Sequence, residues 1–153
     1  SLNQLASHFK FPIIVSTHPR TRNKLNELNL NTDPLIQFME PLGFIDYNAL
    51  QKNALVVLSD SGTISEESSI LGFSGVNIRD AHERPEAMEE GAVIMSDLEY
   101  NSLLRSVTAA IEKDTANIRI VQDYNVKNFS NKLVTIILSY SSYVNRVVWK
   151  EYH

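Results

Sequence analysis

The sequence predicts an α/β fold in which a parallel sheet is covered by helices. Short apolar runs alternate with helix-length amphipathic stretches from Phe11 to Met95, the pattern of strands feeding crossover helices. Gly and Pro fall at the junctions of those runs, at Pro12, Pro19, Pro34, Pro41, Gly43, Gly62, Gly72, Gly75, Pro85 and Gly91. No internal repeat, low-complexity tract or Gly/Ser linker interrupts the alternation, so 153 residues read as one domain with a sizeable core.

In chain order, strands are expected at residues 12–16, 35–39, 54–58, 76–79 and 93–95. Helical spacing occupies residues 20–30, 44–52, Ile64–Leu71 and 85–90 between them, and Tyr100–Glu112 after the last strand. Residues 117–123 and 127–149 also look helical. The second of these carries Leu133, Ile136, Ile137, Tyr140, Val144, Val147 and Val148 at i, i+3, i+4, i+7 spacing. Such a face needs cover, either from the chain's own sheet or from another domain or chain, and the spacing does not choose between them.

Composition removes several function classes. Lys and Arg total 14 against 18 Asp and Glu, a net charge of −4, so no general cationic field exists to hold a polyanion such as DNA. There is no Cys, which excludes a disulfide framework and thiolate catalysis. No apolar stretch approaches the roughly 18 residues of a membrane span, and the N-terminus lacks the pattern of a secretory signal and begins at Ser1, as a processed form or a piece of a longer protein would.

In open α/β sheets, ligands bind beyond the carboxyl ends of the strands. The residues there are Thr17-His18-Pro19-Arg20 after the first strand, Ser59-Asp60-Ser61-Gly62-Thr63 after the third, and Arg79-Asp80-Ala81-His82-Glu83-Arg84-Pro85 after the fourth. The small-residue turn before residue 64 lets backbone N–H groups and a helix N-terminus face a phosphate. It lacks the glycines of a dinucleotide fingerprint and the Lys of a Walker loop. Thr63-Ile64-Ser65-Glu66 also reads as a capping box, which would leave Glu67 near the ligand edge to accept hydrogen bonds from hydroxyls such as those of a ribose.

Arg84 precedes Pro85, a residue suited to the first position of a helix, and would therefore occupy the N-cap. A cation there opposes the helix dipole and offers no capping oxygen, so it points to an anion contact or to an ion pair with Asp80, Glu83 or Glu86. His18 contacts a ligand or only finishes a turn. Asp80, His82 and Glu83 do not form the dense cluster a metal site needs. Arg20, Arg22 and Lys24 read as a solvated basic face.

Taken together, these residues resemble the C-terminal half of the non-hydrolysing UDP-N-acetylglucosamine 2-epimerases. The correspondence runs through His18-Pro19, Glu40-Pro41-Leu42 with Phe44 and Tyr47, Ser59-Asp60-Ser61-Gly62 with Glu66-Glu67 and Leu71-Gly72, and Arg79-Asp80 with Glu83-Arg84-Pro85-Glu86-Ala87. The resemblance implies a Rossmann-like half of a GT-B type fold over residues 1–115 with a helical tail over 116–153. It implies that Tyr47 packs on uracil, that Ser61, Gly62 and Thr63 hold the diphosphate, that Glu67 binds the ribose hydroxyls, that Arg84 helps bind the diphosphate, and that His18 lies near the substrate cleft. It implies no cofactor or metal, a cytoplasmic bacterial enzyme that makes surface polysaccharide precursors, and catalytic carboxylates in an N-terminal half outside this chain.

Thr63, Ala81-His82 and Ser68-Ser69 depart from the usual family pattern. With Tyr124-Asn125-Val126 and the 139–149 ending they resemble the branch that converts UDP-2-acetamido-2,6-dideoxy-L-talose to UDP-N-acetyl-L-fucosamine. The family's half begins with a strand that this chain lacks, the chain starting in the helix at Leu2–Phe9. In the 3-2-1-4-5-6 strand order that strand is interior, so self-association, a homodimer in particular, is expected of the isolated chain. A non-catalytic nucleotide-sugar module and the donor half of a GT-B glycosyltransferase share the architecture; the Glu83-Arg84-Pro85-Glu86 segment beside the serine turn favours the epimerases.

Overall fold

The computed structural model describes residues 1–28, 30–81 and 84–151. It is an α/β structure with two parallel sheets and flanking helices. In chain order the elements are α1 (Leu2–Phe9), β1 (Ile13–Ser16), α2 (Pro19–Glu27), β2 (Ile36–Met39), α3 (Phe44–Asn53), β3 (Val57–Ser59), α4 (Ile64–Leu71), β4 (Gly75–Ile78), α5 (Pro85–Glu89), β5 (Val93–Ser96), α6 (Tyr100–Glu112) and α7 (Phe129–Val147). The five strands and the helices between them occupy the expected places within one to three residues at each end.

Two compact units result, Ser1–Val121 and Gln122–His153. In the first, β1 pairs with β2, and β3, β4 and β5 pair in that order, every ladder parallel. The two sheets are not hydrogen-bonded to each other among the described residues. Burial differs along them. Central β4 is buried at Gly75, Val76 and Asn77, whereas all of β3 is half-buried and Ile14 of β1 is exposed. Strands of a parallel sheet are normally covered on both faces and flanked on both edges.

One face of both sheets shares a core. Leu5 of α1, Val76 of β4 and Leu103, Val107 and Ala110 of α6 are buried together, with Ile13, Leu58, Ile78 and Ile94 packed on them from four strands. On the other face, α4 lies on β4 and β5, with Ile64 buried beside Gly75. A Cβ on Gly75 would stand 3.0 Å from Val93 Cγ1 and 3.3 Å from Ile64 Cδ1, so glycine permits this close approach. Gly72 ends α4 in the left-handed region, at φ 74°, and turns the chain into β4.

The expected helix at 117–123 does not form. A single 3₁₀ turn at Thr115–Asn117, capped by Asp114, gives way to extended backbone at Ile118. The segment is instead fixed by packing: Val121 is buried, and its N–H donates to Ser69 Oγ at 2.9 Å. Tertiary capture of one apolar side chain outweighs weak local helical spacing. In the second unit α7 forms, and most of its apolar side chains, Leu138 among them, are exposed, as is Trp149 just past its end, while Val144 is half-buried.

Ser69→Ala leaves the buried Val121 N–H without its acceptor. We expect it to destabilise the first unit by about 1–3 kcal/mol, read by urea denaturation; an unchanged midpoint would show that this contact does not anchor the segment.

Candidate functional site

Parallel pairing aligns Ser59 with Asn77, and Ser16 with Met39, so within each sheet the strands end together. The loops after β3 and β4 therefore leave from the same end of one sheet. This is where the polar sequence after each apolar run was expected to gather.

The turn after β3 is organised by its own hydroxyls. Ser59 Oγ accepts from the Ser61 N–H at 3.1 Å, Ser61 Oγ accepts from the Thr63 N–H at 3.4 Å, and the Ser61 and Thr63 hydroxyls lie 3.0 Å apart. Asx- and Ser-type local bonds of this kind hold a short turn without secondary structure. Ser61 and Thr63 stay exposed at the start of α4, and Gly62 between them is half-buried.

The capping box is not formed. Thr63 has helical dihedrals, φ −67° and ψ −14°, and its side chain makes no cap bond, because its hydroxyl is turned toward Ser61. Glu66 is thereby released from the cap and reaches α5. Its Oε1 lies 2.7 Å from Arg84 Nε, both side chains about one-third exposed. Arg84 does occupy the N-cap of α5 ahead of Pro85, with no capping bond. This carboxylate partner lies on α4; Glu83 and His82 lie outside the described residues. Glu66 thus offsets the unfavourable placement of a cation at a helix N-terminus.

Beside it, α3 and α4 meet through polar groups. Tyr47 and Gln51 stand at i and i+4 on α3, one face of the helix. Gln51 is 3% exposed, and its Nε2 donates to Glu67 Oε2 at 2.5 Å. Burial pushes the Tyr47 phenol above its ordinary pKa, the Glu67 carboxylate adds to that push, and a hydrogen bond with Gln51 partly opposes it. Tyr47, Gln51 and Glu67 therefore form one electrostatic cluster. Sequence reasoning missed Gln51; the signal available was a polar residue one helical turn after Tyr47.

His18 is exposed and caps α2, its Nδ1 accepting from the Arg20 N–H at 3.3 Å. It belongs to the loop after β1 and joins none of these contacts among the described residues. Arg22 is not simply solvated: its Nη2 donates to the Phe38 carbonyl at 3.1 Å, and its Nη1 lies 3.6 Å from Glu40. An open depression of about 380 Å³ lies elsewhere, lined by Asn3, Gln4, Ser7, His8 and Tyr100. It lies away from the serine turn and the Arg84 loop. No group of three or more metal-ligating side chains occurs among the described residues, and no helix there is long and apolar enough to cross a membrane.

The family model for UDP-N-acetylglucosamine 2-epimerase matches residues 1–138. The chain belongs to the UDP-N-acetylglucosamine 2-epimerase family. It is 38% identical over 105 residues to the UDP-N-acetylglucosamine 2-epimerase of Methanocaldococcus jannaschii, an alignment covering 66% of this chain and 29% of that protein. The solved UDP-N-acetylglucosamine 2-epimerase of Rickettsia bellii is similar at 42% identity and a TM-score of 0.82, over 99% of this chain and 42% of that one. The Methanocaldococcus jannaschii enzyme in complex with UDP-GlcNAc and UDP is similar at 31% identity and a TM-score of 0.77, over 91% and 38%. This epimerase-family chain thus spans about a third of the curated relatives it matches and about two-fifths of the solved structures.

The Tyr47 cluster makes a testable statement about charge. Because the Glu67 carboxylate disfavours the phenolate, Glu67→Gln should lower the Tyr47 midpoint in an alkaline titration followed by ¹³C NMR of the labelled ring, while burial keeps it above the ordinary value. An unchanged midpoint would separate the two side chains electrostatically.

Proposed function

We propose that this chain is the UDP-sugar-binding, C-terminal half of a non-hydrolysing UDP-N-acetylhexosamine 2-epimerase. The observation that carries the reading is the convergence, at one end of the β3-β4-β5 sheet, of a hydroxyl-lined turn at the start of α4 with Arg84 held by Glu66 and Glu67 held by Gln51. Such an edge suits a nucleoside diphosphate. Ser61, Gly62 and Thr63 take the diphosphate at the helix N-terminus, where backbone N–H groups and the helix dipole favour an anion. Arg84 supplies the opposing cation, Glu67 accepts from the ribose hydroxyls, Tyr47 packs on the uracil, and His18 lines the cleft from the loop after β1.

Chemistry at C2 explains why the diphosphate must be gripped. The C2 proton of the sugar has no neighbouring carbonyl to acidify it, so the reaction proceeds by elimination of UDP to a glycal, followed by re-addition with C2 inverted. Arg84 and the α4 N-terminus stabilise the charge that develops on the departing diphosphate. General acid and base carboxylates abstract and return the proton, and these belong to the N-terminal half of the full enzyme. The edge described above is one wall of a cleft whose other wall is that half. UDP-2-acetamido-2,6-dideoxy-L-talose is the substrate we favour, on Thr63, Ser68-Ser69 and the 139–149 segment. The product would feed surface polysaccharide synthesis in a bacterial cytoplasm.

The edges of β1 and β3 that pair with no strand among the described residues support association of the isolated chain as a homodimer. In light scattering we expect a mass above the 17.3 kDa of one chain; a clean monomer contradicts it. The purified chain is expected to show no epimerase turnover, and measurable turnover would place catalytic groups within it. In calorimetric titration UDP should bind more tightly than UMP, and Arg84→Ala should weaken UDP about tenfold or more with little effect on UMP. Equal affinities for UDP and UMP, unaffected by Arg84→Ala, would contradict a diphosphate site.

A further inference from the structure

Gln51 is a polar side chain in a place that packing alone would fill with an apolar one. It is 3% exposed on α3, its Nε2 donates to Glu67 Oε2 at 2.5 Å, and its Oε1 is buried with no hydrogen-bond partner among the described residues. A buried amide that leaves one acceptor unpaired weakens a fold relative to an apolar residue of the same shape. Packing alone therefore does not account for Gln51. What it does achieve is local: an ionised carboxylate accepts only, so the donor of Gln51 fixes which oxygen of Glu67 is held and in what direction the other is presented. The acid is half-buried in the first turn of α4, one turn from Thr63, whose carbonyl accepts from the Glu67 N–H at 2.9 Å.

We propose that Gln51 is a positioning residue that aims the Glu67 carboxylate at the vicinal hydroxyls of a ribose, and so sets the preference of this edge for ribonucleotides. The proposal rests on the reading of Glu67 as the ribose-binding group. It assigns to α3 a part in ligand recognition beyond the aromatic surface of Tyr47. A paired carboxylate already oriented before the ligand arrives gives up less freedom on binding, which raises affinity without adding a contact to the ligand.

Gln51→Met, an unbranched apolar side chain of similar length, separates positioning from scaffolding. Calorimetric titration with UDP and with 2′-deoxy-UDP is the readout, alongside the thermal midpoint. Wild type should prefer UDP. In Gln51→Met, shown to be folded by a cooperative thermal transition, the affinity for UDP should fall about fivefold, and the UDP to 2′-deoxy-UDP ratio should collapse to that of Glu67→Ala. Adding Glu67→Ala to Gln51→Met should cause no further loss of selectivity. If Gln51→Met does not fold, Gln51→Leu replaces it. A ratio unchanged in a folded variant, or equal weakening of both nucleotides, overturns the positioning role while leaving the nucleotide reading intact. Absence of UDP binding by the wild-type chain overturns the nucleotide reading itself, and the positioning role with it.

Discussion

Parallel pairing of β3 with β4, in the register that sets Ser59 opposite Asn77, is the constraint from which the site follows. Because both strands run the same way and end together, the serine turn and the arginine loop emerge side by side although some twenty residues of sequence separate them. Helix α4 can then lie flat on β4, since Gly75 offers no side chain to Ile64. Its first turn comes close enough to α5 for Glu66 to reach Arg84 and to α3 for Gln51 to reach Glu67. Two adjacent acids in one helical turn are thereby sent in different directions, one to neutralise a cation and one to a buried amide.

The same sheet shows what the chain by itself leaves open. β4, flanked on both sides, is buried; β3 and β1, each flanked on one side, are not. Helices α1 and α6 still hold the two sheets over one core through Leu5, Leu103 and Val107. β1 and β3 each keep an edge that pairs with no strand among the described residues, and such an edge leaves backbone donors and acceptors open.

Much of this was legible in the sequence because two periodicities and the Gly and Pro junctions agree. The strand and helix order, the polar strand ends and the N-cap position of Arg84 all follow from short-range patterns. What escaped were contacts between elements. Thr63 to Glu66 has the spacing of a capping box, but spacing cannot reveal that an arginine eighteen residues onward competes for the glutamate, or that Ser61 takes the threonine hydroxyl. Residues 117–123 carry apolar spacing that looks helical, and only the position of Ser69 on α4 shows why Val121 is held in a non-helical segment instead. Gln51 went unnoticed since burial of a glutamine is a tertiary fact.

The central claim is that a diphosphate seats on the first turn of α4. Backbone amide NMR of the ¹⁵N-labelled chain during titration with UDP tests it at single-residue level. The account predicts that the largest shifts fall on Gly62, Thr63 and Ile64, with the Arg84 side-chain Nε–H moving in parallel. Shifts confined to the depression near Asn3 and His8, with the α4 turn unmoved, would contradict it.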